Sequence, residues 1–95
     1  KSRIALVQLT QMERYINQYK ARNRTRKLAE MHKLRAKVHE RIFASSRGRK
    51  AGELEAAIRT WQAYMNVLGT AAARRLAQEQ MEKNNLRLQR LKGGP

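Results

Sequence analysis

The sequence predicts an all-α fold, a three-helix bundle with a long protruding N-terminal basic helix. Apolar residues recur at spacings of three and four along most of the 95-residue chain, which is the period of a helix that is buried on one side. Neither Gly nor Pro, the residues that most often interrupt helices, occurs between residues 3 and 47. The length suits a single domain over residues 1–95, with a thin core because small chains bury a smaller share of their surface.

The first helix is predicted over about residues 3–44. One apolar stripe runs from Leu9 to Tyr19 and a second from Leu28 to Ile42, with a basic run between them. At a rise of about 1.5 Å per residue, a continuous helix would be about 60 Å long, and its second stripe would be rotated by roughly a quarter turn from the first. The two halves of the helix are therefore expected to rest on different partners.

Ser and Gly residues between positions 44 and 52 predict a turn. A second helix is predicted over about residues 53–68, and a third over about 71–91 with Thr70 as its cap. Asn84 interrupts the apolar side of the third helix and either bonds across to another helix or meets RNA, of which the bond between helices is favoured. The second helix carries an apolar seam that consists of Leu54, Ile58, Trp61, Met65 and Leu68.

Short turns force consecutive helices to run antiparallel. The second and third helices are long enough to cover the stripe from Leu28 to Ile42, and too short to reach Tyr19. The N-terminal half of the first helix is therefore expected to project from the bundle, where something outside the chain must hold it. Trp61 is expected to be buried between the first and third helices.

The chain lacks the residues that several classes of function require. The chain has no Cys, no glycine loop that would cradle phosphates and no nucleophile motif, so it is not expected to be an enzyme. His32 and His39 lie seven residues apart, which is too far for a helical zinc pair, so they are expected to face solvent or RNA. No metal, cofactor, small-molecule substrate or membrane span is predicted.

Charge is the strongest functional signal. The chain carries 22 Lys and Arg against 7 acidic residues, a net charge of +15, and residues 20–29 hold five bases and no acid. A solvated helix face normally mixes acids with bases, so this surface predicts a polyanionic partner. Cations on all sides of the helix favour folded RNA over a lipid surface, which needs a broad apolar face, and over DNA, for which no helix-turn-helix or dimer spacing is present. The predicted RNA-binding residues are Lys20, Arg22, Asn23, Arg24, Arg26, Lys27, Lys33, Arg35, Lys37, Arg41, Arg47, Arg49, Lys50, Arg74, Arg75, Lys83 and Arg87.

Two segments resemble a known family. Residues 23–38, NRTRKLAEMHKLRAKV, are similar to the first helix of the bacterial-type small-subunit ribosomal protein S-twenty family, and residues 68–88, LGTAAARRLAQEQMEKNNLRL, are similar to its C-terminal helix. The resemblance implies a structural subunit of the ribosome that is bound to small-subunit ribosomal RNA. The stripe from Leu9 to Tyr19 is expected to contact either RNA or a neighbouring ribosomal protein. The divergence from the family pattern favours a chloroplast or mitochondrial ribosome, for which a removed transit peptide would be expected.

An alternative from another class is a helical subunit or assembly factor of an organelle protein complex. In that case the stripe from Leu9 to Tyr19 and the seam around Trp61 would bind protein rather than pack within the chain. Salt sensitivity separates the two hypotheses, because phosphate contacts weaken steeply with salt and apolar contacts do not.

Overall fold

The computed structural model describes residues 2–19, 23–47 and 50–93, which form four helices. These are α1 (Ser2–Tyr19), α2 (Arg24–Ser45), α3 (Ala51–Val67) and α4 (Ala71–Gly93). The all-α prediction is confirmed. The prediction of three helices with a long protruding first helix is wrong, because the chain turns at Asn23 and α1 packs back against α2.

Asn23 supplies the backbone conformation at the turn between α1 and α2. Its backbone lies in the left-handed region, with φ 59° and ψ 38°, which Asn tolerates better than most residues. Its carbonyl oxygen accepts a hydrogen bond from the Lys27 N–H at 3.0 Å, which starts α2. The predicted site residues Lys20 and Arg22 lie outside the described part of the chain.

Side-chain contacts show that α1 and α2 form an antiparallel hairpin. Arg24 Nη2 donates to Asn17 Oδ1 at 2.8 Å near the turn, and Arg35 Nη2 donates to Glu13 Oε1 at 3.1 Å farther along both helices. The second contact lies farther from the turn than the first on both helices, so the two helices run in opposite directions. The N-terminal segment is therefore held by the chain itself.

Burial explains why the hairpin is preferred to one straight helix. Folding back buries Leu9 and Ile16 of α1 and Met31 of α2, and each such side chain contributes about 1.5–3 kcal/mol. A straight helix would leave the α1 stripe in water. It would also set like charges four residues apart in the basic run, which costs a few tenths of a kcal/mol per pair, roughly 0.2–0.5. The quarter-turn offset between the two stripes marks the position of this turn.

Helices α2, α3 and α4 share a small core, as the sequence predicts for the C-terminal part of the chain. Trp61 and Tyr64 of α3 form its centre, with ring centroids 5.6 Å apart in an edge-to-face arrangement. Small residues surround these rings and leave room for the large indole. They are Ala29 and Ala36 of α2 and Ala73 and Ala77 of α4.

The α2 face in this core differs from the predicted one. The stripe from Leu28 to Ile42 was expected to meet the other two helices, whereas Met31 and Leu34 of that stripe line a groove with α1. Alanine spacing was the missed signal, because Ala29 and Ala36 lie two helical turns apart on the side that meets α3 and α4. The predicted burial of Trp61 is confirmed, and its side chain is 1% exposed.

The second and third predicted helices correspond to α3 and α4, with ends that differ by one or two residues. The Thr70 cap is confirmed, since the Ala73 N–H donates to Thr70 Oγ1 at 3.1 Å. Leu54 and Trp61 of the predicted α3 seam are fully buried. These elements follow directly from local sequence pattern.

The molecule is a thin plate that measures 48 × 32 × 13 Å. Among the described helices, α1 packs on α2, α2 on α3 and α3 on α4. The accessible surface of 6816 Å² exceeds the roughly 5,700 Å² typical of a compact monomer of this mass. Arg26, Glu30, Lys37 and Arg41 are exposed, so the side of α2 that carries them stays open, between α1 and the core.

Candidate nucleic-acid interface

The open side of α2 carries a line of cations, which we call the α2 stripe: Arg26, Lys33, Lys37 and Arg41. Their spacing of seven, four and four residues places them on one side of the helix. Arg26, Lys37 and Arg41 are exposed and Lys33 is half-buried. The stripe extends over about 22 Å, at 1.5 Å per residue. Glu30 is the acidic residue that shares this side.

Contacts among the described residues engage the acidic residues Glu13, Glu40 and Glu53. Glu13 pairs with Arg35 at 3.1 Å, and Glu53 Oε2 lies 2.6 Å from His39 Nδ1. Glu40 accepts two hydrogen bonds from other helices. The ion pairs and hydrogen bonds of these carboxylates among the described residues are with side chains outside the α2 stripe.

The structure places the predicted RNA-binding residues in three groups. Lys20, Arg22 and Arg49 lie outside the described residues. Lys33 and Arg35 are half-buried, and Arg35 is engaged by Glu13. The exposed group consists of Asn23, Arg24, Arg26, Lys27, Lys37, Arg41, Arg47, Lys50, Arg74, Arg75, Lys83 and Arg87.

The exposed bases of α4 are accompanied by two exposed acids of that helix, whereas α2 has one, Glu30, which lies four residues from Arg26 and three from Lys33. Arg75 and Lys83 each lie four residues from Glu79, and Glu82 is exposed on the same helix. Such spacing is typical of an ordinary solvated helix surface. Of the predicted basic run, Arg24, Arg26 and Lys27 are described and exposed at the start of α2, and the α2 stripe continues this positive charge along the helix.

A buried polar cluster joins the three core helices. Asn84 is 1% exposed, and its Nδ2 donates to Glu40 Oε2 at 2.7 Å. The Trp61 Nε1–H donates to the same oxygen at 2.9 Å. The favoured interpretation of Asn84 as a bond between helices is confirmed, and its burial removes it from any RNA surface.

The two histidines do not face solvent as expected. His39 lies against Glu53, which fixes α2 on α3. His32 is half-buried, and its Nδ1 has no hydrogen-bond partner among the described residues. Burial lowers the pKa of His32, the Glu13 carboxylate acts to raise it, and the Arg35 guanidinium acts to lower it.

The lowered pKa of His32 predicts a loss of stability in mild acid. The unfolded chain takes up a proton on this ring more readily than the folded chain, so the free energy of unfolding should fall as the pH drops from about 7.5 to about 5.5. Urea denaturation at both pH values measures this difference. The loss should be smaller in His32→Gln, which does not titrate, than in the wild type. Equal pH dependence in these two proteins would show that His32 is not responsible.

Sequence reasoning missed a groove between α1 and α2, which we call the α1–α2 groove. It has a volume of about 530 Å³. Its apolar lining is Met12, Tyr15, Ile16, Met31 and Leu34. Met12 and Leu34 were visible as members of the two predicted stripes, but only the hairpin brings them to one groove.

No three His, Cys, Asp or Glu side chains in residues 2–19, 23–47 and 50–93 lie close enough to hold a metal ion. None of the four described helices is both long and apolar enough to cross a membrane. Comparison of the chain with protein-family models, with characterised proteins and with solved structures finds no match.

Proposed function

We propose that this chain is a non-catalytic structural protein that binds folded RNA by neutralising phosphates along the α2 stripe. The observation that carries the proposal is the set of exposed cations on the open side of α2, a described helix in which Glu30 is the one exposed acidic residue. Arg supplies forked donors that match phosphate oxygens, and Lys supplies a compact charge. The role of the protein is to offset repulsion between packed RNA backbones and fix their relative positions.

The surroundings of α2 favour the backbone of folded RNA over the DNA major groove. A recognition helix must enter a groove about 12 Å wide, and α2 has α1 on one side and α3 on another. A helix flanked in this way can lie across phosphate ridges but cannot enter a groove deeply. Contacts of this kind position a protein on RNA without reading its sequence.

The resemblance to the S-twenty family suggests small-subunit ribosomal RNA as the ligand, and an organelle ribosome as the assembly. The first similar segment, residues 23–38, lies in α2 apart from Asn23, and most of the second, residues 68–88, lies in α4. The resemblance also implied one very long first helix, and the turn at Asn23 departs from that pattern. The ribosomal assignment therefore rests on the two segments.

A charge-matched pair of variants tests the proposal. In the first, Arg26, Lys37 and Arg41 of the α2 stripe become Ala; in the second, Arg75, Lys83 and Arg87 of α4 become Ala. Both lose three positive charges. With a folded fragment of small-subunit ribosomal RNA, the log–log plot of affinity against salt should become shallower by roughly two units in the α2 variant, and by clearly less in the α4 variant.

Two outcomes would contradict the proposal. Equal effects of the two variants would mean that total charge, and not the α2 stripe, governs binding. An unchanged salt slope in the α2 variant would favour the alternative of a helical subunit in a protein complex. Because the stripe contacts phosphates, the α2 variant should weaken binding to unrelated folded RNAs by a similar factor.

A further inference from the structure

The α1–α2 groove exposes apolar side chains that a small folded protein normally covers. Met12 and Leu34 are each 49% exposed, and Tyr15 is 61% exposed. Ile16 and Met31, which are buried, form the floor of the groove. Isolated exposed apolar residues are ordinary, whereas a contiguous set at the bottom and sides of one groove marks an interaction site.

The shape of the groove fits a helix. The antiparallel helices α1 and α2 form its walls. Of the other described helices, α1 packs on none and α2 packs on α3. A third helix laid between them would insert apolar residues at spacings of three and four, as amphipathic helices do in hydrophobic grooves. Met12 and Met31 add adaptable side chains that adjust to the shape of a bound helix.

Charge decides which helix fits. Arg26, Lys27 and Glu30 line the groove beside its apolar residues, so its rim carries two cations and one acid, and the chain has a net charge of +15. A second copy of this chain would bring the same positive charge against this rim, and folded RNA presents phosphates rather than an apolar face. A helix with an apolar seam and carboxylates on its flanks complements both the floor and the rim.

We propose that the α1–α2 groove binds an acidic amphipathic helix of a partner protein. The apolar seam of that helix covers Met12, Tyr15 and Leu34, and its flanking Glu or Asp residues pair with Arg26 and Lys27. This site shares Arg26 with the α2 stripe, so a helix bound in the groove and RNA bound along the stripe compete for that side chain.

A synthetic peptide tests the groove directly. The probe is a fluorescein-labelled helical peptide with Leu at positions i, i+3, i+4 and i+7 and Glu on both flanks, and its control has the same composition in scrambled order. Fluorescence anisotropy should show binding at least about tenfold tighter for the probe than for the control. Equal binding of the two peptides would reduce the interaction to charge alone and overturn the proposal.

Matched leucine variants locate the binding. Leu34 in the groove and Leu86 on α4 are 49% and 50% exposed, so their replacement by Ser removes similar apolar surface from water. Leu34→Ser should weaken the peptide by about tenfold or more, and Leu86→Ser should not. Met12→Ser, on the other helix, should repeat the effect of Leu34→Ser, which guards against a local distortion of α2. Affinity for the RNA fragment should be the same in all three variants.

Other occupants give distinct results. If anionic phospholipid vesicles bind the protein in a manner that Leu34→Ser abolishes, while the peptide does not bind, the groove meets a membrane surface. If sedimentation shows a dimer that Leu34→Ser dissociates, the occupant is a second copy of the chain. Either result overturns the proposal.

Discussion

Replacement of Trp61 by Ala should lower the free energy of unfolding by about 3–5 kcal/mol. The indole is the largest fully buried side chain among the described residues. Its neighbours in the core include four alanines, whose methyl groups are too short to fill the cavity that the substitution leaves. A domain of this size has a total stability of about 5–15 kcal/mol, so the variant is expected to lie near the folding threshold.

Thermal denaturation followed by circular dichroism measures this effect. A loss of that size should lower the melting temperature by more than about 12 °C in a domain of this length. Trp61→Phe should fall between wild type and Trp61→Ala, since it keeps a ring and loses the N–H that donates to Glu40. Leu86→Ala, which changes an exposed side chain, serves as the control. A Trp61→Ala protein that melts within a few degrees of wild type would show that the core is not centred on the indole.

The C-terminal half of the fold was predictable because its signals are local. The seam around Trp61 repeats with the helical period, and Thr70 stands where a cap is needed. Asn84 was also predictable in kind, because a polar residue on an apolar face must find a partner or lose stability. The partner itself, Glu40, lies 44 residues earlier in the chain and no local pattern identifies it.

The N-terminal half was mispredicted because tertiary burial decided it. Residues 3–47 contain no Gly or Pro, so local rules favour one helix. The energy of packing Leu9 and Ile16 on α2 is larger than the cost of one turn, and Asn23 supplies a backbone that can adopt it. The rotation between the two apolar stripes was visible in the sequence. It is explained equally well by a straight helix whose halves meet different partners and by a hairpin of two helices.

The sequence predicts which charged residues belong to the candidate site, but it does not predict which of them form one open surface. Composition identifies a basic chain, and the basic run identifies its densest part. The sequence does not show that Arg35 is paired with Glu13, or that Glu40 and Glu53 are turned into the fold. Only the arrangement of helices separates cations that are open to a ligand from those that are engaged.

Replacement of Glu40 by Ala is the second change with a large expected effect. One carboxylate oxygen accepts hydrogen bonds from Trp61 at 2.9 Å and from Asn84 at 2.7 Å. Its removal leaves two buried donors without an acceptor, at about 1–3 kcal/mol each, so the free energy of unfolding should fall by about 2–6 kcal/mol. Urea denaturation measures the loss, and the near-ultraviolet circular dichroism of Trp61 reports the local change.

Two comparisons identify the cause of that loss. Glu30→Ala makes the same substitution at an exposed position of the same helix, and should change stability by no more than about 0.5 kcal/mol. In a double-mutant cycle, Glu40→Ala and Asn84→Ala together should cost less than the sum of the single changes by more than about 1 kcal/mol, because each removes the same bond. Additive costs, or a Glu40→Ala protein as stable as Glu30→Ala, would mean that α2, α3 and α4 are held together by the Trp61 core alone.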